Sequence, residues 1–408
     1  MTRKLVVLLD GTGNRIGVQP SNVLRMLPLL SKDRDKVLAH YDQGVGTFGR
    51  PGVLFEWQNL PARLLGLAFG WGTRVTVERA YRFLCQHHQP GDEIHIYGFS
   101  RGAYAARLLA ATLFRVGLVA PEHVHHFPLI WQALTQRKPG FGRMGYLKSL
   151  FEARKVDVQL LGLYDTVNST GWLLNPFQVP NTVTNPAVRH VRHALSLDER
   201  RSFFRPLLWK EDASPGDDGT PRVQQVWFAG SHSDVGGGYP LKEAGLANAA
   251  LHWMLGEATA LGLDLDTGAY LAFIRKKHAA ANPLGHYHNS YNLLWSLTEW
   301  LPRVVWDSTL KKRRLTLGRY WPFGKHTYRP LPIAPALHHS VGARCDAMAG
   351  YRPDIALLEC SWVPDRPVTI NGSTPTLPAR QPRKARVNSS PPAPKENSKR
   401  TCGEMEAV

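Results

Sequence analysis

Short apolar runs alternate with helix-period segments along the first 230 or so residues. Leu5 to Leu9, Val37 to Tyr41, Glu93 to Tyr97, Val158 to Tyr164, Val188 to Leu197 and Val223 to Phe228 each read as a strand. Their nearly unbroken hydrophobic character suits strands buried on both faces. Between them, Ser21 offers an N-cap for a helix to about Leu30, and Thr73 to His88 reads as another helix. Strands alternating with helices predict an α/β fold with a mostly parallel sheet of about six or more strands, covered by helices on both sides.

The third of these runs leads into Gly98-Phe99-Ser100-Arg101-Gly102, and the helical Ala103-Tyr104-Ala105-Ala106-Arg107-Leu108-Leu109 follows. A G-x-S-x-G between strand and helix is the setting of a nucleophile elbow. The chain reverses so sharply there that the serine is strained, and side chains two residues to either side would collide unless they were glycine. The turn also lies over the helix N-terminus, whose N–H groups and dipole favour an oxyanion.

The run of strands matches the α/β-hydrolase order, in which nucleophile, acid and histidine follow the fifth, seventh and eighth strands. With the Ser100 strand as the fifth, Asp198 ends the seventh and His232 follows the eighth. Ser100 is then the expected nucleophile, His232 the general base and Asp198 the acid that fixes the imidazole tautomer. Backbone N–H groups of Gly11, Thr12 and Arg101 are the expected oxyanion hole. Asp165, at the end of the sixth strand, and Asp234 are alternative acids. His338 and His339 are alternative bases, while His87, His88, His190 and His193 read as surface or strand histidines.

Composition narrows the class. The chain has 408 residues, 43% of them hydrophobic, which is enough for one large catalytic domain. That domain is expected over 1–362, with insertions at about 48–72, 122–151 and 271–323. Trp131, Phe141 and Tyr146 in the second insertion, and the tryptophans of the third, are expected to line a lid or acyl groove. A Pro/Ser-rich basic tail over 363–408 is expected to be disordered. No uncharged apolar stretch reaches the ~18 residues of a membrane span. The strand at the N-terminus leaves no room for an export leader, so a cytoplasmic protein is expected. Four scattered cysteines suggest neither a disulfide framework nor a zinc site, and triad chemistry requires no cofactor and no metal.

The net charge of +18 does not indicate nucleic acid, because much of it lies in the tail and in Lys311-Lys312-Arg313-Arg314. That run sits among Trp295, Trp300, Trp306, Tyr320 and Trp321, a mixture suited to an anionic lipid surface. A solvated basic face beside ordinary core aromatics is the competing reading.

Several motifs together resemble the DUF2235 family: Leu9-Asp10-Gly11-Thr12-Gly13-Asn14, Gly98-Phe99-Ser100-Arg101-Gly102-Ala103, Tyr164-Asp165-Thr166-Val167, Ala194 to Arg200, Trp227 to Tyr239, and His339-Ser340-Val341. That family includes catalytic domains of type VI secretion phospholipase effectors. The resemblance implies an α/β-hydrolase with a Ser-Asp-His triad, a lipid or ester substrate, and secretion-system or immunity partners with export by a type VI system. Gly13 stands where the family leads one to expect an aromatic residue, and the large membrane-binding extension of longer effectors has no counterpart. Two other classes stay open: a metal-dependent phosphate-ester hydrolase built on Asp10 and Asp42, and a non-catalytic binding scaffold on the same fold.

Overall fold

A computed structural model describes residues 2–11, 19–44, 67–136, 141–167, 171–172, 175–176, 179–201, 204–210, 220–291, 303–307, 312–316, 329, 331–332, 334–351 and 359–375. In chain order the strands are β1 (Lys4–Leu9), β2 (Val37–Asp42), β3 (Glu93–Phe99), β4 (Val158–Tyr164), β5 (Gly171–Trp172) and β6 (Asn175–Pro176). They continue with β7 (Val188–Ser196), β8 (Val223–Phe228), β9 (Arg303–Asp307), β10 (Lys312–Thr316), β11 (Ala336–His338) and β12 (Ser361–Val363). Eight of them form one sheet in the order β2-β1-β3-β4-β7-β8-β11-β12, parallel throughout. The six predicted runs are all in it, and β11 and β12 extend its far edge. With β3 as the fifth strand, β1 and β2 occupy the third and fourth positions and β4, β7 and β8 the sixth to eighth, which is the α/β-hydrolase order.

Alternation within the strands explains their unbroken apolar character. Leu5, Val7 and Leu9 face one cluster, with Tyr81 of the helix Leu67–His87 and Leu109 of the helix Arg101–Arg115. Val6 and Leu8 face the other, with Trp253 and Met254 of the helix Gly245–Ala260. Both faces of the strand are thus core. Each such leucine, removed from water, contributes roughly 2 kcal/mol.

The insertion at 122–151 is part of this core. Its helices Phe127–Thr135 and Phe141–Leu150 bury Phe127, Ile130, Leu134 and Leu147 against the first cluster. Trp131 packs on that cluster, and Tyr146 is 65% exposed. The side chain of Phe141, like most of 48–72, lies outside the described residues. In the third insertion β9 and β10 pair as an antiparallel ribbon that carries Lys312, Arg313 and Arg314. Lys311, Trp295, Trp300, Tyr320 and Trp321 lie outside the described residues.

Contacts divide the chain into Met1–Pro375 and Thr376–Val408. The first unit continues past the expected boundary at 363, because Val368 and Ile370 are buried in the second cluster. The other unit lies outside the described residues. Among the described residues, no helix is long and apolar enough to cross a membrane.

Candidate active site

The C-terminal end of β3 turns sharply at Ser100, which has φ 57° and ψ −118°. A β-carbon on Gly98 would sit 2.6 Å from Ala103 Cα and Gly102 O, and one on Gly102 would collide with the carbonyls of Leu9 and Asp10. Both glycines are therefore obligatory: one lets the helix fold back on the strand, and the other lets the turn press against the end of β1. Ser100 N–H donates to the Tyr164 carbonyl at 3.0 Å, tying the elbow to the neighbouring β4. Arg101 opens the helix Arg101–Arg115 directly after the serine.

The end of β4 supplies Asp165 and the loop after β8 supplies His232, at the start of the short helix His232–Gly236. His232 Nδ1 and Asp165 Oδ2 are 2.6 Å apart, and both side chains are buried. The imidazole lies against the Phe99 ring, with centroids 4.8 Å apart, and meets the Phe204 ring edge-on at 4.9 Å. Asp165 is fully satisfied: Ser196 at the end of β7 donates its N–H to Oδ1 and its hydroxyl to Oδ2, each at 3.0 Å. Arg329 donates to Oδ1 at 2.5 Å and to Oδ2 at 3.0 Å. Burial works against ionisation of Asp165, yet the Arg329 charge and the His232 bond outweigh it and hold the carboxyl well below the usual carboxylate range. Burial lowers His232 below 6.5, opposed by Asp165, so the ring is neutral at neutral pH. A neutral imidazole oriented by a carboxylate, beside a serine elbow, is equipped to take a hydroxyl proton.

A family model described as "T6SS, Phospholipase effector Tle1-like, catalytic domain" matches residues 3–257, more than half of the chain. The chain belongs to this family. As a Tle1-like domain it has an α/β-hydrolase fold and is a member of a family of lipid-hydrolysing catalytic domains, in agreement with the resemblance read from the motifs. It is 33% identical over 225 residues to "Uncharacterized protein YEL023C" of Saccharomyces cerevisiae, covering 51% of this chain and 33% of that protein. The chain thus spans about a third of the length of that curated relative. Two solved structures are similar at lower levels. One, an uncharacterized protein from Pseudomonas aeruginosa, has a TM-score of 0.36 and 19% identity, covering 65% of this chain and 47% of that one. The other is the Tle1 effector bound to the VgrG spike from the type 6 secretion system, with a TM-score of 0.32 and 21% identity, covering 58% of this chain and 51% of that one.

The Tle1-like match includes Ser100, Asp165, Asp198 and His232; His288, Arg329 and His339 lie beyond it. Asp198, the expected acid, is not brought to His232. Its Oδ2 accepts the Gly230 N–H at 2.6 Å and the Tyr351 hydroxyl at 2.7 Å, so it pins the loop that carries the histidine. Asp234 caps its own helix through Ser231 and bonds His288 Nδ1 at 2.6 Å, with Glu243 on the ring's other nitrogen at 3.2 Å. No local signal marks Arg329, which reaches Asp165 from far along the chain, or His288, which reaches Asp234.

The first loop is also committed. Asp10 Oδ1 accepts the Gly11 N–H at 2.6 Å, and its Oδ2 accepts the hydroxyls of Ser21 at 2.5 Å and Tyr41 at 2.9 Å. The Gly11 N–H therefore points at Asp10, and Thr12 lies outside the described residues. Asp42 accepts from Gly44 N–H, Thr76 and Arg79. Of the other histidines, His338 is buried, stacks on Phe228 with centroids 4.4 Å apart, and lies 3.1 Å from Asp365 Oδ1. Among the described residues, His338, His339 and Asp365 form a group whose ligand atoms, within 4.8 Å of one another, could hold a metal.

Proposed function

We propose that this protein is a serine ester hydrolase acting on phospholipids through Ser100, His232 and Asp165. The 2.6 Å contact between His232 Nδ1 and Asp165 Oδ2, beside a strained serine between two obligatory glycines, carries the reading. His232 takes the Ser100 hydroxyl proton as Oγ attacks the ester carbonyl, and Asp165 holds the tautomer and stabilises the imidazolium. The Arg101 N–H, following the nucleophile at the start of its helix, donates to the oxyanion. Collapse of the tetrahedral intermediate breaks the carbonyl carbon–alkoxide bond, and the alcohol leaves with the proton from His232. Water then repeats the sequence on the acyl-enzyme and frees the fatty acid. Family membership supports a lipid ester as substrate.

The family's description supports export as a type VI effector with a secretion-system partner, and the basic ribbon β9–β10 supports contact with anionic lipid. Reversing Lys311, Lys312, Arg313 and Arg314 to glutamate is expected to abolish binding to anionic vesicles, and retained binding contradicts that contact.

Covalent labelling with a fluorophosphonate, with the modified residue mapped by mass spectrometry, tests the chemistry. Labelling is expected at Ser100, and it is expected to disappear in Ser100→Ala and His232→Ala. A folded wild-type protein that takes up no probe contradicts the proposal.

A further inference from the structure

The residues that bind Asp165 raise a question of charge. A carboxylate with no exposure, bonded to a neutral imidazole, is unstable as an anion unless a cation is fixed beside it. The cation is Arg329, itself 4% exposed. Its two terminal nitrogens take one carboxylate oxygen each, at 2.5 and 3.0 Å. Nη1 also donates to the Ser196 carbonyl at 3.1 Å and lies 2.7 Å from the Ser196 hydroxyl. Nη2 donates to the carbonyl of Phe204, whose ring meets His232. One guanidinium thus joins the acid, the end of β7 and the loop that walls the base. It comes from beyond the family-matched 3–257.

We propose that Arg329 is a positioning residue for the Ser100–His232–Asp165 reaction, fixing the plane of the Asp165 carboxylate and setting the pH at which His232 becomes a base. The inference rests on the triad reading given above. A planar fork bound to both oxygens leaves the carboxylate a single orientation, with Oδ2 toward His232. Its positive charge disfavours the imidazolium, so the base stays neutral to lower pH. The other charged groups around His232 are Glu199, which accepts its backbone N–H at 3.2 Å, and Arg201, which forks onto Glu199 at 2.8 and 2.9 Å. Arg201 and Glu199 act on the ring in opposite directions, and Arg329 acts on it across the Asp165 carboxylate that it binds.

The test is the fluorophosphonate labelling rate of the full chain against pH, for wild type, Arg329→Met, Arg329→Lys and Asp165→Asn, each checked for folding by circular dichroism. In Arg329→Met the half-point of the acid limb is expected to rise by about one to two pH units and the plateau to fall about 10- to 100-fold. Arg329→Lys keeps the charge and loses the fork, so its plateau falls while its limb stays within a few tenths of a unit of wild type. A folded Arg329→Met with the wild-type limb overturns the proposal. If that variant does not fold, Arg329→Lys decides: a plateau equal to wild type, or a limb moved as far as a full unit, overturns it. Asp165→Asn separates the two levels. If it labels like wild type, the triad reading itself fails; if it is strongly impaired while the Arg329 variants are normal, only the role of Arg329 fails.

Discussion

The serine elbow and the carboxylate that meets His232 stand on neighbouring strands, yet they are legible in the sequence to very different degrees. At the elbow a single backbone reversal demands Gly98, Ser100 and Gly102 within five residues, and each glycine has a named collision that only its missing β-carbon avoids. At the acid, three aspartates sit at comparable strand ends or loops, and nothing in their own neighbourhoods says which one meets His232. The choice is made by partners from elsewhere: Ser196 and Arg329 gather on Asp165, while Tyr351 and Gly230 occupy Asp198. Local backbone constraints are written in sequence as spacing; side-chain pairing across a sheet is written nowhere in particular.

Ser100→Ala should lower ester hydrolysis by about 10⁴-fold or more, since binding and oxyanion stabilisation alone remain; a smaller loss in a lipid-release assay would mean another group does the chemistry. Gly102→Ala should damage the elbow as a structure. With carbonyls of Leu9 and Asp10 in the way, stability is expected to fall by about 1–3 kcal/mol in urea unfolding, with activity lost alongside it. Unchanged unfolding would show that the turn is looser than its geometry.

Asp198→Asn keeps one acceptor and weakens two hydrogen bonds, so it should cost about 1–2 kcal/mol of stability while activity stays within about tenfold of wild type. A catastrophic loss of activity in a folded Asp198→Asn would restore it as the acid. The pH dependence of stability is the mildest test. His193, lowered to about 3 by burial and the Arg107 charge, and His232, lowered by burial, are neutral in the folded protein. Unfolded, both take up protons below about 6.5, so the unfolded state binds more protons there and stability falls as pH drops. Each contributes at most about 1.4 kcal/mol per pH unit. Thermal unfolding midpoints should therefore decrease from pH 7.5 to 5.5, and a constant or rising midpoint would contradict the burial.

Most of the sheet was readable because continuous apolar runs such as Leu5–Leu9 leave little choice but a strand covered on both sides. The edge strands β11 and β12 were not, since three residues each carry no periodic signal. At the candidate site, the elbow at Ser100 and the loop that carries His232 are legible from their motifs. Asp165 stood only as an alternative because the order of strands favours the seventh, and Arg329 was invisible because a lone arginine 164 positions away from its partner has no sequence pattern. Asp10 illustrates the reverse case, a carboxylate in a conspicuous glycine-rich loop whose oxygens go to Gly11, Ser21 and Tyr41.

The central claim is that Asp165, and not Asp198, orients His232 for attack by Ser100. The most direct measurement is the second-order rate of fluorophosphonate labelling at Ser100 in Asp165→Asn and Asp198→Asn, both verified as folded. The account predicts a fall of about 10³- to 10⁴-fold for Asp165→Asn and less than about tenfold for Asp198→Asn. The reverse order, or equal rates in the two, would contradict it.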